Sequence, residues 1–166
     1  MAPRRRSVVA AVLLPPLLGG CGFELRRAPE LRFRTIRLTG FAPRSPLAAE
    51  LTRQIDASAT TRVVEAAKDA EVVLRVEEDA REKSVVATTA AGQVREFELR
   101  SRLRFAVLAA SGRELLAPSE ILLRRNLTYT ETAALPKEEE EGFLFRAMQT
   151  DIVSQVLRRL ATIGPV

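Results

Sequence analysis

From Glu71 to Thr130, apolar and polar residues alternate with period two almost without a break. No helix presents a face at that spacing, so the middle of this 166-residue chain is committed to β-structure. Val72, Leu74 and Val76 fall on one face, with Arg75, Glu77 and Asp79 on the other, and Ala91-Gly92 marks a turn. Phe97, Leu99, Leu103, Phe105 and Val107 then alternate with Glu96, Glu98, Arg100, Arg102 and Arg104, and only Ser101 interrupts the apolar row. Ser111-Gly112 marks a second turn. Pro118 delays the last strand to about Ser119 or marks an edge, after which Ile121, Leu123, Leu127 and Tyr129 alternate with Leu122, Arg124, Asn126 and Thr128. One buried face and one charged face describe an antiparallel meander covered on one side. At about 3.3 Å per residue each long strand spans roughly 50 Å, so the meander is expected to project beyond its helical cover.

The flanks supply that cover. Leu31 to Thr39 is rich in β-formers, but Leu31 and Phe33 are out of phase with Ile36 and Leu38, as in a bulged or two-sided strand. Ser45-Pro46 is an N-cap followed by proline at the first helical position, and Leu47, Leu51 and Ile55 repeat every four residues, giving a helix of about three turns that ends near Ser58. Thr60 to Val64 is a short β-rich run. A second helix is expected to start over Pro136–Glu141, its four carboxylates favoured by the macrodipole. Phe145, Met148, Ile152, Val156, Leu160 and Ile163 form its apolar stripe, and Gly164-Pro165 stops it. These elements predict an α+β fold: two helices packed on one face of a mixed, mostly antiparallel sheet of about four long strands, in the order β-α-β-β-β-α.

The first thirty residues have a different character. Arg4, Arg5 and Arg6 precede an apolar run from Val8 to Leu18 that is broken by Pro15 and Pro16. It is shorter than the roughly 20 residues a membrane span needs, and Leu18-Gly19-Gly20-Cys21 follows it. The pattern predicts a lipoprotein signal, with residues 1–20 cleaved, Cys21 receiving the lipid, residues 21–30 forming a tether and 31–166 a single domain. The competing reading is a cleaved signal that leaves a free thiol. Cys21 is the only cysteine, and it sits at the junction. The formal charge of +5 points first to nucleic acid, but removing residues 1–20 leaves 23 basic against 21 acidic residues, with no concentrated excess. Nucleic acid is therefore not an expected partner.

Chemistry is largely excluded by residue type. The chain has no histidine, so His-dependent triads and His-rich metal centres are impossible within it, and it has no glycine-rich phosphate loop. Glu96 and Glu98 read as a solvated strand face, and Glu138–Glu141 lacks the interleaved Asp, Asn and Gly of a calcium loop. No catalytic residue, metal site or cofactor is expected, and the chain is not an enzyme. The Arg100, Arg102 and Arg104 row fits two roles: a charge ladder with Glu77, Asp79 and similar neighbours, or a set of guanidinium forks for an acidic lipid head group.

Cys21-Gly22-Phe23-Glu24-Leu25-Arg26 resembles the Cys-Gly-aromatic-x-Leu-Arg opening of the LptE family of lipopolysaccharide-assembly lipoproteins. Gly92-Gln93 with Glu96-Phe97 is similar to that family's first hairpin. Leu135-Pro136-Lys137, Met148, Asp151 and Gln155 to Leu160 are similar to its last helix. The resemblance implies a non-enzymatic protein of the outer membrane, on its periplasmic side, lipid-anchored through its N-terminus. It also implies that the protein sits as a plug within the lumen of an LptD-like β-barrel, at about one to one, helps assemble that barrel, and binds lipopolysaccharide. The family's lipopolysaccharide contacts are basic residues near the first hairpin tip and just before the last helix. Lys137 matches the second position; the tip reads Ala90-Ala91-Gly92, which leaves Arg95 as the nearest cation. A substrate-binding auxiliary lipoprotein of a lipid-trafficking ABC transporter has a similar length and build but lacks the opening motif.

The anchor reading makes a direct prediction. Cys21→Ala should give a folded protein that, without a partner, fractionates with soluble material after a high-salt wash; retention on the membrane through that wash would refute it.

Overall fold

The computed structural model of the chain describes residues 30–129 and 134–166, with the backbone alone for 134–136. The signal segment, Cys21 and the tether up to Pro29 lie outside the described residues. The elements are β1 (Thr35–Thr39), α1 (Pro46–Asp56), β2 (Arg62–Val63), β3 (Val72–Thr88), β4 (Val94–Ala109), β5 (Glu114–Thr128) and α2 (Ala134–Leu160). They build one sheet in the order β2-β1-β3-β4-β5. Strand β1 is parallel to both of its neighbours, and the β3-β4-β5 meander is antiparallel. The expected α+β class holds, with three long strands and two short ones.

Several boundaries move for identifiable reasons. Residues 32–34 are bends rather than strand, so Leu31, Phe33 and Ile36 all reach the same core despite their alternation. Strand β5 starts at Glu114, before Pro118, because it is an edge strand and Pro118 sits in an irregularity. Phe105 faces Ser119 and Val107 faces Leu116, so Ala117 and Pro118 together oppose Ala106. Helix α2 begins at Ala134, which puts Pro136 in a first turn whose N–H groups have no intrahelical acceptor in any case. The Glu138–Glu141 run consequently lies about one turn inside the helix, and ion pairs rather than the macrodipole account for two of its members.

Two three-residue hairpin loops close the meander. Gly92 and Gly112 have φ of 78° and 85°, and their N–H groups donate to the Thr89 and Ala109 carbonyls at 2.9 Å in both cases. The Gly92 tip lies at one end of the domain, next to the end of β5 and the start of α2. The Gly112 turn lies at the other, where the Ala110 N–H donates to the Glu71 carbonyl.

One core joins both helices to the sheet. Leu47, Leu51 and Ile55 of α1 and Ile152, Val153, Val156, Leu157 and Leu160 of α2 pack on Val72, Leu74, Leu103, Phe105 and Val107. A smaller cluster of Leu99, Leu127 and Met148, with Phe97, Leu144 and Phe145 against it, continues the cover toward the Gly92 tip. Helix α2, with 27 residues at about 1.5 Å each, is roughly 40 Å long and roofs most of the meander. Only the last part projects, as expected, and there Val85 and Val86 are half exposed. Each fully buried Leu or Ile contributes about 1.5–3 kcal/mol, so burial outweighs any surface ion pair in holding the helices down.

Register depends on one extra residue. Val76 pairs with Phe105 and Glu78 with Arg104, which leaves Glu77 as a bulge. Beyond it Asp79, Arg81 and Lys83 turn to the helix side, opposite Leu103, Ser101 and Leu99, and Asp79 leaves the face that simple alternation assigns it. At the end of β1, Gly40 (φ 84°) crosses this point so closely that an added Cβ would lie 2.0 Å from the Val76 carbonyl oxygen. Gly40→Ala should therefore lower the unfolding free energy by about 2 kcal/mol or more, measured by urea denaturation.

Candidate functional site

The sheet has a helix-covered face and an open one, and the candidate residues divide between them. Arg100, Arg102 and Arg104 point to the open face, each in register with β3 and β5 neighbours. Arg104 pairs with Glu77 at 3.5 Å, Arg102 with Glu78 at 3.5 Å and Glu120 at 3.9 Å, and Arg100 with Glu98 at 2.5 Å and Glu82 at 4.0 Å. The row is thus built into a cross-strand charge ladder. Glu78, not Asp79, is the β3 carboxylate that pairs with Arg102, reaching it diagonally from its place opposite Arg104. Apart from Glu98, which is 16% exposed, these side chains are about one-third to one-half exposed, so water screens the pairs and each is worth little to stability.

Asp79 serves the other face. The Ser45 hydroxyl donates to the Asp79 carboxylate at 3.0 Å and accepts from the Ala48 N–H at 3.3 Å, so one side chain caps α1 and fastens it to β3. Beside it, Gln149 of α2 donates to the Pro46 carbonyl at 3.3 Å and to the Glu50 carboxylate, and accepts from Arg81. Ser101 lies under this junction, buried, and its hydroxyl has no partner among the described residues.

The Gly92 end gathers the remaining candidates. Lys137 falls inside α2 rather than before it, and its Nζ pairs with Glu140 at 2.7 Å. The bulge at Glu77 carries Lys83 to the same side, where it pairs with Glu141 at 2.5 Å and sits 4.2 Å from the centroid of the Phe97 ring. Lys83, Phe97, Leu127, Tyr129, Lys137 and Glu141 line a cleft of about 120 Å³, with Phe97 and Tyr129 edge to face at 5.3 Å. Arg95 is exposed at this end of β4, where its carbonyl accepts from the Tyr129 N–H at 2.8 Å. The structure therefore brings Lys137, Arg95 and Lys83 to one end and places the arginine row on the opposite sheet face. Alternation alone does not bring Lys83 to this end, because its facing depends on the bulge. Its one available signal was residue type, since Lys68, Lys83 and Lys137 are the only lysines in an arginine-rich chain.

Among the described residues no group of His, Cys, Asp or Glu is arranged to hold a metal ion, and no helix is long and apolar enough to cross a membrane. The arrangement offers cations, aromatic edges and exchangeable surface ion pairs, which are means of binding.

The model of the family LptE, described as lipopolysaccharide-assembly, matches residues 33–160. The solution structure of an uncharacterized lipoprotein B from Nitrosomonas europaea is 33% identical. It superposes with a TM-score of 0.72 over 84% of this chain and 90% of that one. The rare lipoprotein B from Shewanella oneidensis is 26% identical, with a TM-score of 0.65 over 78% and 95%. A minor lipoprotein from Acinetobacter baumannii has the same fold at 19% identity, with a TM-score of 0.65 over 82% and 98%. No curated protein matches the chain in the corresponding sequence comparison.

Neighbouring positions of β4 should separate the roles of the two faces. Arg102→Gln should change the unfolding free energy by less than about 1 kcal/mol, whereas Leu103→Ala should cost about 2–5 kcal/mol in the same urea titration.

Proposed function

The chain belongs to the LptE family and so to lipopolysaccharide assembly, and from that membership we propose a specific role. The protein is a non-enzymatic lipoprotein, anchored through Cys21 in the outer membrane with residues 31–166 on the periplasmic side. It plugs an LptD-like β-barrel at about one to one, helps that barrel assemble, and binds lipopolysaccharide in transit. The observation that carries this reading is the two-faced sheet. Helices cover one side, while the other presents Glu78, Glu82, Glu98, Arg100, Arg102 and Arg104 as a paired, wettable ladder. A neutralised polar face suits the water-filled lumen of a large barrel better than it suits an apolar protein interface.

The lipopolysaccharide contact is assigned to the Gly92 end, through Lys137 and Arg95. The Glu140 partner of Lys137 is about half exposed, so an incoming phosphate can exchange with that carboxylate at little cost. Phosphate offers the Lys137 ammonium a charge-assisted hydrogen bond of the same kind. Arg100, Arg102 and Arg104 are already engaged by carboxylates and belong to the barrel-facing surface in this assignment.

Extraction of the anchored protein in mild detergent tests both parts. A large outer-membrane β-barrel is expected at about one to one, together with lipopolysaccharide. Arg95→Glu with Lys137→Glu should lower the lipopolysaccharide recovered by several-fold while leaving the barrel and the thermal midpoint nearly unchanged. An inner-membrane transporter in place of the barrel, or no partner, would refute the plug; unaltered lipopolysaccharide would move the contact elsewhere.

A further inference from the structure

At the opposite end from Gly92 lies an open groove of about 520 Å³ between the residues that lead into β1 and those that lead into β2. Leu31 and Phe33 turn inward to the core at 5% and 3% exposure, and the same alternation sends Arg32 and Arg34 out along the groove. Arg62 joins them from the neighbouring strand, because its N–H donates to the Arg34 carbonyl at 2.9 Å and it pairs in register with Thr35. The backbone beneath is fixed: Thr60 and Thr61 hydroxyls donate to the Leu31 and Phe33 carbonyls at 3.4 and 2.6 Å. Three arginines therefore line one groove on a hydrogen-bonded base.

Their electrostatic surroundings differ from those of the arginine ladder. Arg100, Arg102 and Arg104 each face a carboxylate within 4.0 Å, whereas no ion pair among the described residues involves Arg32, Arg34 or Arg62. The nearby Glu71 carboxylate is engaged by the Arg34 backbone N–H at 2.7 Å. Arginine forks carry donors in the geometry that a phosphate accepts.

Chain length identifies the occupant. Arg32 is eleven residues beyond Cys21, and an extended chain of that length reaches at most about 40 Å, so the groove stays near any membrane that holds a lipid on Cys21. Arg26 and Arg27 lie along the same connection. We propose that the Arg32, Arg34 and Arg62 groove docks on phosphate head groups of anionic lipid beside the anchor, holding the domain against the bilayer. The proposal rests on the lipoprotein reading of Cys21 and adds a second, electrostatic attachment to it.

The test uses residues 21–166 carrying Cys21→Ala, since the described core lies wholly between Leu31 and Ile163. The unlipidated protein is sedimented with vesicles of phosphatidylcholine alone, or with roughly 30% phosphatidylglycerol added, at about 50 mM and about 500 mM salt. Binding is expected only to the anionic vesicles and should fall at high salt. Arg32→Gln, Arg34→Gln and Arg62→Gln together should lower the partition coefficient about tenfold or more. A control with the same loss of charge, Arg113→Gln, Arg146→Gln and Arg158→Gln, should stay within about twofold of the parent. Each single groove replacement should act in the same direction, which keeps the test valid if the triple variant fails to fold by circular dichroism. Equal losses in the two triple variants, equal binding to neutral vesicles, or no vesicle binding at all would overturn the proposal. Binding of millimolar inorganic phosphate in the absence of vesicle binding would also overturn it, by making the groove a site for free anion. Because no lipid is attached in this assay, its outcome is separate from whether Cys21 is acylated.

Discussion

The architecture turns on where β3 places its charges, and the bulge at Glu77 decides that. Without the extra residue, Glu78 and Glu82 would face the helices, while Arg81 and Lys83 would join the arginine row on the open face. With it, Glu78 and Glu82 meet Arg102 and Arg100, and Arg81 and Lys83 meet Gln149 and Glu141 of α2. A one-residue change of register reverses every side chain from there to the next irregularity at Val86, so a single insertion sorts four charges at once. Asp79 moves with them and accepts the Ser45 hydroxyl that caps α1. Gly40, which passes against Val76, matters for the same reason: only a residue without a side chain leaves the β1 exit and the bulge in place together.

Apolar burial and polar fastening then divide the work of holding the two helices. Strand β4, central in the meander, supplies Leu99, Leu103, Phe105 and Val107 beneath the roof. Strands β3 and β5 on either side offer polar contacts to α2, such as Arg81 to Gln149 and Arg125 to Asp151 at 3.4 Å. The apolar seam supplies the energy, and the flanking contacts set the lateral position of the helix. Ser101, whose hydroxyl has no partner among the described residues, interrupts that seam in its middle.

This arrangement leaves the domain with two chemically different ends. The end nearest the tether carries Arg32, Arg34 and Arg62 in an open groove. The far end carries Lys83 and Lys137 among carboxylates and aromatic rings. Under the proposed function this separation has a reason, because attachment to the bilayer and handling of lipopolysaccharide would then occur at separate surfaces. The neutral ladder between them, on the open sheet face, is compatible with enclosure in a wet lumen.

Much of this was legible beforehand. The alternation around Arg100–Arg104 identified the buried and open faces of β4, Ser45-Pro46 marked the start of α1, and the two Gly turns defined the meander, because each signal is local and obeys backbone stereochemistry. The opening motif after Cys21 and the last-helix residues also pointed to the family that the match over residues 33–160 establishes. The sequence by itself determined the element types, the covered face of β4 and the family. Only the tertiary structure decided that β5 begins before Pro118, that Leu31 and Phe33 share a core with Ile36, that Asp79 and Lys83 face the helices, and that Arg62 joins Arg32 and Arg34. Those outcomes depend on strand neighbours and on one unpaired residue, and pairing between segments far apart in the chain leaves no trace in local periodicity.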